Sequence, residues 1–255
     1  MPVFLDAGCP LRDYPGASAR PRRSVIAKPK IRWNVSPRQA IVLQKRWAKR
    51  VILVDRIGRL ETVAGADIAF DPSTHAAFAG VVLYRFPELF EIERVSVQGA
   101  LRFPYIPGLL SFRESPLLLA AFARLKTAPD LILIDGHGLA HPRRFGIACH
   151  IGVLLDKPVI GCAKSLLVGE HRALSNKAGA AVPLTFRGET VGMVLRSREG
   201  VKPIYVTQGH RVSLPTTLKL AKQCLDGLRI PKPTREADHY VGALRIAYQQ
   251  SQAAQ

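Results

Sequence analysis

Four side chains of this 255-residue sequence have a type and a setting that would let them do chemistry together: Asp67, Glu114, Asp135 and His239. Asp67 interrupts an apolar run, Val63-Ala-Gly-Ala-Asp67-Ile-Ala-Phe70. A carboxylate buried there is costly unless it meets a cation, a metal or several amide donors. The alternative is an ordinary strand-end Asp bonded to a turn. Asp135 follows Leu131-Ile-Leu-Ile134, at the carboxyl end of an expected buried strand, where open α/β sheets collect ligands. Glu114 stands just ahead of an apolar helix, where a carboxylate can also be a cap favoured by the helix dipole. His239, beside Asp238 on the last helix, reads by itself as a surface histidine. Together the three carboxylates suit two-metal phosphodiester hydrolysis, in which hard Mg²⁺ ions take oxygen ligands. One ion would activate a water and the other would stabilise the leaving 3′-oxygen. His239 would be a base, a proton relay or an outer contact.

A second feature lies beside Glu114. Pro104-Tyr105-Ile106-Pro107-Gly108 holds an aromatic ring between two prolines. Proline fixes φ and pushes the preceding residue toward extended geometry, so Tyr105 should stand on a stiff, exposed tip. An aromatic presented in this way suits a wedge between stacked bases. Lys164, just past a second apolar run, could reach a substrate phosphate or be a solvated surface lysine. His141, Cys149 and His150 lack a metal-ligand spacing, and Phe112 and Phe145 read as core.

The elements that must position these groups are legible in outline. Ser36 is a natural N-cap, with Pro37 at the first helical position. Strand-like runs follow at Glu61–Phe70, Ala76–Phe86 and Leu89–Val97. A helix is predicted over Pro116–Lys126 with Ser115 as its cap, then a buried strand at Leu131–Ile134. Arg144–Leu155 should be helical and Pro158–Cys162 a strand. Val182–Leu195 and Pro203–Thr207 read as strands around a turn at Arg198–Gly200. Helices over Leu214–Leu225 and Arg235–Gln249 close the chain. Hairpin strands first, then alternating helices and strands, imply an α/β fold with a mixed sheet flanked by helices.

Composition narrows the function. The formal net charge is +18, of which +10 lies in the first fifty residues. A field of that sign attracts phosphate backbones. Residues 1–34 are basic and aperiodic and read as a disordered extension, a nonspecific anchor or a solubilising tail, ahead of a catalytic domain over 35–250. The four cysteines form no Cys-x-x-Cys pair, no apolar run is long enough for a membrane span, and the N-terminus lacks a signal-peptide order. A cytoplasmic monomer with reduced thiols is the expectation.

Four motifs in order over Trp47–Val241 resemble the endonuclease V family of deoxyinosine 3′ endonucleases. They are Val-Ala-Gly-Ala-Asp67, the run from Pro104 to Glu114, Ile134-Asp-Gly-His-Gly138 with His141-Pro-Arg-Arg144, and Ala237-Asp-His239. The resemblance implies a ribonuclease H-like fold. It also implies hydrolysis of the second phosphodiester bond 3′ to deoxyinosine, leaving 3′-hydroxyl and 5′-phosphate ends, with Mg²⁺ as cofactor and Mn²⁺ able to substitute. On that resemblance Asp67 and Asp135 are the principal metal ligands, Glu114 the third carboxylate and His239 the active-site histidine. Tyr105 is the DNA wedge, with Pro104, Ile106 and Pro107 around it, and Lys164 contacts substrate. A pocket for the displaced base is assigned to the backbone at Gly108, Leu110, Gly136 and Ile147. Inosine-containing RNA is the alternative substrate, and a basic binding protein with a decayed site is the non-enzymatic reading.

Overall fold

The structure is a computed structural model that describes residues 31–253. The expectation for the basic extension therefore falls largely outside the described residues. Within them, Trp33 already packs against Phe112 and His150, with ring centroids 6.2 and 5.5 Å apart. The folded part thus begins before the boundary at 35, because one large aromatic supplies the burial that the composition around it does not advertise.

Among the described residues eight strands form one mixed sheet. The first three, β1 (Thr62–Phe70), β2 (Ala76–Arg85) and β3 (Glu91–Ala100), make an antiparallel meander. β4 (Leu131–Ile134) lies parallel to β1, and β5 (Val159–Ala163) parallel to β4. β6 (Ala181–Phe186), β7 (Glu189–Leu195) and β8 (Ile204–His210) complete an antiparallel edge, giving the order β3-β2-β1-β4-β5-β8-β7-β6. This is the ribonuclease H-like arrangement.

Helices cover both faces. Helices α2 (Leu110–Phe122) and α3 (Ile147–Leu155) share a core with Ala64, Ala66, Ile132 and Ile134. Helices α4 (Leu214–Gln223) and α5 (Lys232–Ala253) cover Val63, Leu131, Leu133, Ile160 and Cys162 on the other face. α1 (Pro37–Ala48) begins at Ser36 with a full capping box and packs Ala40 against Phe103, Leu109 and Phe112. Alternate strand residues face opposite sides. Asp67 therefore shares the α5 side with Val63 and Gly65, and no helix is long and apolar enough to cross a membrane among the described residues.

Three elements differ from expectation. α2 starts at Leu110, six residues early, and carries Pro116 inside it. Ser115 is therefore no cap but a buried residue of the second turn, and Glu114 lies within the helix rather than ahead of it. Burial of Leu109, Ser111 and Phe112 holds the first turn despite the proline. α3 starts at Ile147, because Arg144 takes a left-handed φ of 53° that ends the preceding turn. Val182–Leu195 is a hairpin, folded at Arg187 and Gly188 with φ values of 54° and 79°.

Gly65 sets how closely α5 approaches. A Cβ there would lie 1.9 Å from the Pro233 carbonyl oxygen, a backbone atom that cannot swing aside. Gly65→Ala is therefore expected to cost about 3 kcal/mol, the upper end of ordinary overpacking, as read from urea unfolding. An unchanged midpoint would show that α5 is not seated on β1 in this way.

Candidate active site

The parallel pairing of β1 with β4 ends at Ala66↔Ile134. Asp67 and Asp135 are the next residue on each strand, and neighbouring strands lie about 4.8 Å apart. The carboxyl end of a parallel pair thus puts two acids side by side. β5 pairs Gly161 with Ile134, which places Lys164 just beyond the same edge. The Lys164 Nζ lies 2.6 Å from Asp135 Oδ2 and 2.9 Å from Asp238 Oδ2. Asp238 comes from α5, one residue past the buried Ala237, so the close seating at Gly65 also delivers a fourth carboxylate.

The charges show what this edge lacks. Burial pushes Asp67 well above the usual carboxylate range, and repulsion from Asp135 and then Asp238 adds to it, against a bond from the Ile68 amide and attraction to Lys164. Burial likewise raises Glu114 to about 7, opposed by Arg113 and reinforced by Asp135. Asp135 is raised as well: burial dominates, and its contact with Lys164 offsets only part of it. Burial works against the Lys164 charge, but Asp135 and Asp238 outweigh it and hold the ammonium protonated. Asp135 and Asp238 share the Lys164 ammonium, while Asp67 and Glu114 are both repelled by Asp135, so the edge is short of positive charge.

That donor set, all oxygen and electron-rich, fits a hard divalent cation. Among the described residues no three His, Cys, Asp or Glu side chains already stand in a ready metal cluster. Lys164 bridges Asp135 and Asp238 in that role instead. His239 is not brought against the carboxylates. It is exposed, with Nδ1 3.7 Å from Glu236, while its neighbour Asp238 faces the site. His141 Nε2 bonds to the Gly108 carbonyl, and the Cys149 thiol lies 3.7 Å from the Gln208 carbonyl. His150 is buried among Trp47, Phe112 and Phe145, and Phe112 and Phe145 are core as expected.

Next to the carboxylates opens a cleft of about 380 Å³, within the range of small-ligand sites. Its walls include Tyr105, Gly108, Leu110, Gly136 and Ile147, with Asp135 and Lys164 in the same cleft. Tyr105 is 71% exposed at the rim, Pro104 and Pro107 are exposed, and Ile106 turns partly into the core. The loop is pinned at both ends. Arg113 donates to the Phe103 carbonyl at 2.8 Å and lies over the Phe70 ring. At the other end the Gly108 carbonyl accepts from Gln44 Nε2 at 2.9 Å, His141 Nε2 at 2.9 Å and Arg143 at 2.6 Å. Burial lowers His141 to about 4, so its ring is neutral near pH 7 and bonds as a donor.

With its carbonyl committed, Gly108 has only its N–H to offer the cleft. Two more donors come from helix ends. α2 and α3 both start without a side-chain cap, at Leu109 and Gly146, so the N–H groups of Leu110 and Ile147 are not satisfied by a capping side chain. A helix N-terminus is suited to a carbonyl or anionic oxygen. The sequence reading missed Asp238, Gln44 and Arg143. Only Asp238 left a trace, as the residue beside His239 on a helix face next to the sheet; nothing local marks Gln44, whose amide is buried against loops far along the chain.

Comparison with known proteins agrees with this geometry. The model of the Endonuclease V family matches residues 45–239. Endonuclease V of Gloeobacter violaceus is 46% identical over 220 residues, covering 85% of this chain and 89% of that one. The crystal structure of endonuclease V from Streptomyces avermitilis superposes with a TM-score of 0.80 at 36% identity, covering 86% of this chain and 96% of that one. Ciona intestinalis endonuclease V, in complex with a DNA containing an inosine followed by a ribo-adenosine, gives 0.74 at 25% identity over 83% of this chain and 98% of that one. A sheet edge bearing Asp67 and Asp135, a cleft under an exposed tyrosine and a family match over most of the sequence lead to one conclusion: the chain belongs to the endonuclease V family.

Proposed function

We propose that this protein hydrolyses the second phosphodiester bond 3′ to deoxyinosine in DNA, leaving 3′-hydroxyl and 5′-phosphate ends, with Mg²⁺ as cofactor. The observation that carries the reading is the cleft that holds Asp135 and Lys164 within it and Tyr105 at its rim. A base turned out of the helix enters that cleft, and Tyr105 fills the space it leaves. Extrusion costs a few kcal/mol and less for a weakly paired base such as inosine. Leu110 and Ile147 present amide donors toward the carbonyl oxygen that distinguishes hypoxanthine from adenine, and Gly136 leaves room for the ring. Asp67 and Asp135, with Glu114 as the third acid, are the residues that would hold Mg²⁺, which when bound supplies Lewis-acid stabilisation and an activated water. Lys164 brings a fixed positive charge to the phosphate and orients the Asp135 carboxylate. His239, exposed beside Asp238, is the histidine that the family resemblance places at the active site.

The decisive assay incubates the protein with a labelled inosine duplex and its RNA counterpart, with and without Mg²⁺. Nicking of the DNA at the second 3′ phosphodiester, only with metal, is expected; no metal-dependent cleavage of either polymer would overturn the proposal, and cleavage confined to RNA would reassign the substrate.

Tyr105→Ala removes one stacking contact, worth roughly 1–3 kcal/mol, or about ten- to a hundredfold. It should weaken binding to inosine duplex more than to undamaged duplex. An equal loss on both would make Tyr105 a general contact and not a wedge.

A further inference from the structure

Behind the wedge loop, α1, the turn at Pro142–Arg144 and the β6–β7 hairpin enclose a groove of about 420 Å³. Lys45, Arg143, Arg144 and Arg187 line it, against the single acid Glu189. We propose that this groove binds the phosphodiester backbone of the nucleic acid flanking the displaced nucleotide, an assignment that rests on the nuclease reading above.

Local backbone chemistry supports it. Arg187 and Gly188 form the two-residue turn between the paired Phe186 and Glu189, both with positive φ. Such turns favour Asn, Asp or Gly at the first central position, and a long side chain there is a poor local choice. Arg144 is also left-handed, with a φ of 53°. Two arginines in disfavoured backbone geometry at opposite sides of one groove point to a ligand, since local rules are broken mainly where function requires it. The Arg187 guanidinium lies 5.0 Å from the centre of the Phe186 ring, which holds it at the groove instead of letting it range through solvent. Glu189 is already engaged by Arg144, so the groove keeps a net positive charge.

Continuity identifies the ligand. Arg143 lines the groove and donates to the carbonyl of Gly108, which lines the base cleft. A strand with one nucleotide in the cleft therefore has a basic path beside it. An acidic protein segment is the competing occupant, and it would have no reason to start at a nucleobase cleft.

Arg187→Asn and Lys45→Ala test the assignment. Asn suits the left-handed turn and Ala suits an exposed helix position, so unfolding midpoints should hold or rise. Binding to inosine duplex in Ca²⁺ is measured across a salt series. Each variant should weaken binding to inosine and undamaged duplex alike and lower the slope of log affinity against log salt by about 1. Glu189→Gln should act in the opposite sense and tighten both. Parental affinity and slope in Arg187→Asn and Lys45→Ala would overturn the proposal, as would lost binding of polyglutamate with DNA binding unchanged. If the parent nicks inosine duplex while these variants match its slope, only the groove assignment fails; if the parent does not nick, the nuclease reading fails first.

Discussion

Asp135→Asn is expected to reduce cleavage of inosine DNA by on the order of a thousandfold, the scale on which one preorganised charge in a desolvated site acts. The substitution keeps size and hydrogen-bonding shape but removes a negative oxygen from the set that faces Asp67 and Lys164. Two consequences can be separated. Turnover should collapse, because the proposed cation loses a charged ligand and Lys164 loses one of its two carboxylate partners. Binding should survive, because phosphate contacts come mainly from Lys and Arg and one repelling carboxylate has gone. Gel-shift affinity in Ca²⁺ and single-turnover cleavage in Mg²⁺ read the two effects. Near-normal turnover would remove Asp135 from the metal site. Asp67→Asn should behave similarly, since Asp67 sits one strand over at the same register.

Gly136→Val is expected to abolish the preference for inosine while leaving every carboxylate in place. Gly136 has a φ of 147°, and a Cβ there would lie 2.6 Å from Ile147 Cγ2. Two walls of the base cleft would be pushed into each other, and the branched side chain would take the volume of the incoming ring. The loss of preference should approach the value of the contacts that read the base, about 1–3 kcal/mol for each buried polar group left unpaired. Gly136→Ala, adding one methyl group, should give an intermediate loss and guards against reading misfolding as lost specificity. The measurement is the ratio of affinities for inosine and undamaged duplex in Ca²⁺. If Gly136→Val keeps the parental ratio, the base is read elsewhere.

How much of this was legible before the fold can be argued from single residues. Leu131–Ile134 was found to the residue because a wholly apolar run that stops at an acid has few alternatives to a buried strand ending at a polar edge. Asp67 and Asp135 were found for the same reason: a lone acid in apolar surroundings stands out by its cost. Tyr105 was legible through its prolines, which act on the backbone locally wherever they sit. The start of α2 was not, because Ser115-Pro116 reads as a cap and first helical position, whereas packing of Leu109 and Phe112 carries the helix back to Leu110. The turn at Arg187 was missed because an arginine does not announce a left-handed conformation.

By itself, then, the sequence determined what depends on neighbours along the chain: apolar runs, their polar ends, a proline-stiffened loop, a basic field and the motif order of the family. Tertiary structure alone decided that Asp238, and not His239, pairs with Lys164 across from Asp135, since that choice rests on how far α5 descends at Gly65. It alone decided that Gln44, His141 and Arg143 converge on the Gly108 carbonyl from segments up to 99 residues apart. Side-chain type is a local property, but the desolvation and convergence that turn a side chain into a site are set by contacts between distant segments. A linear pattern does not encode those distances.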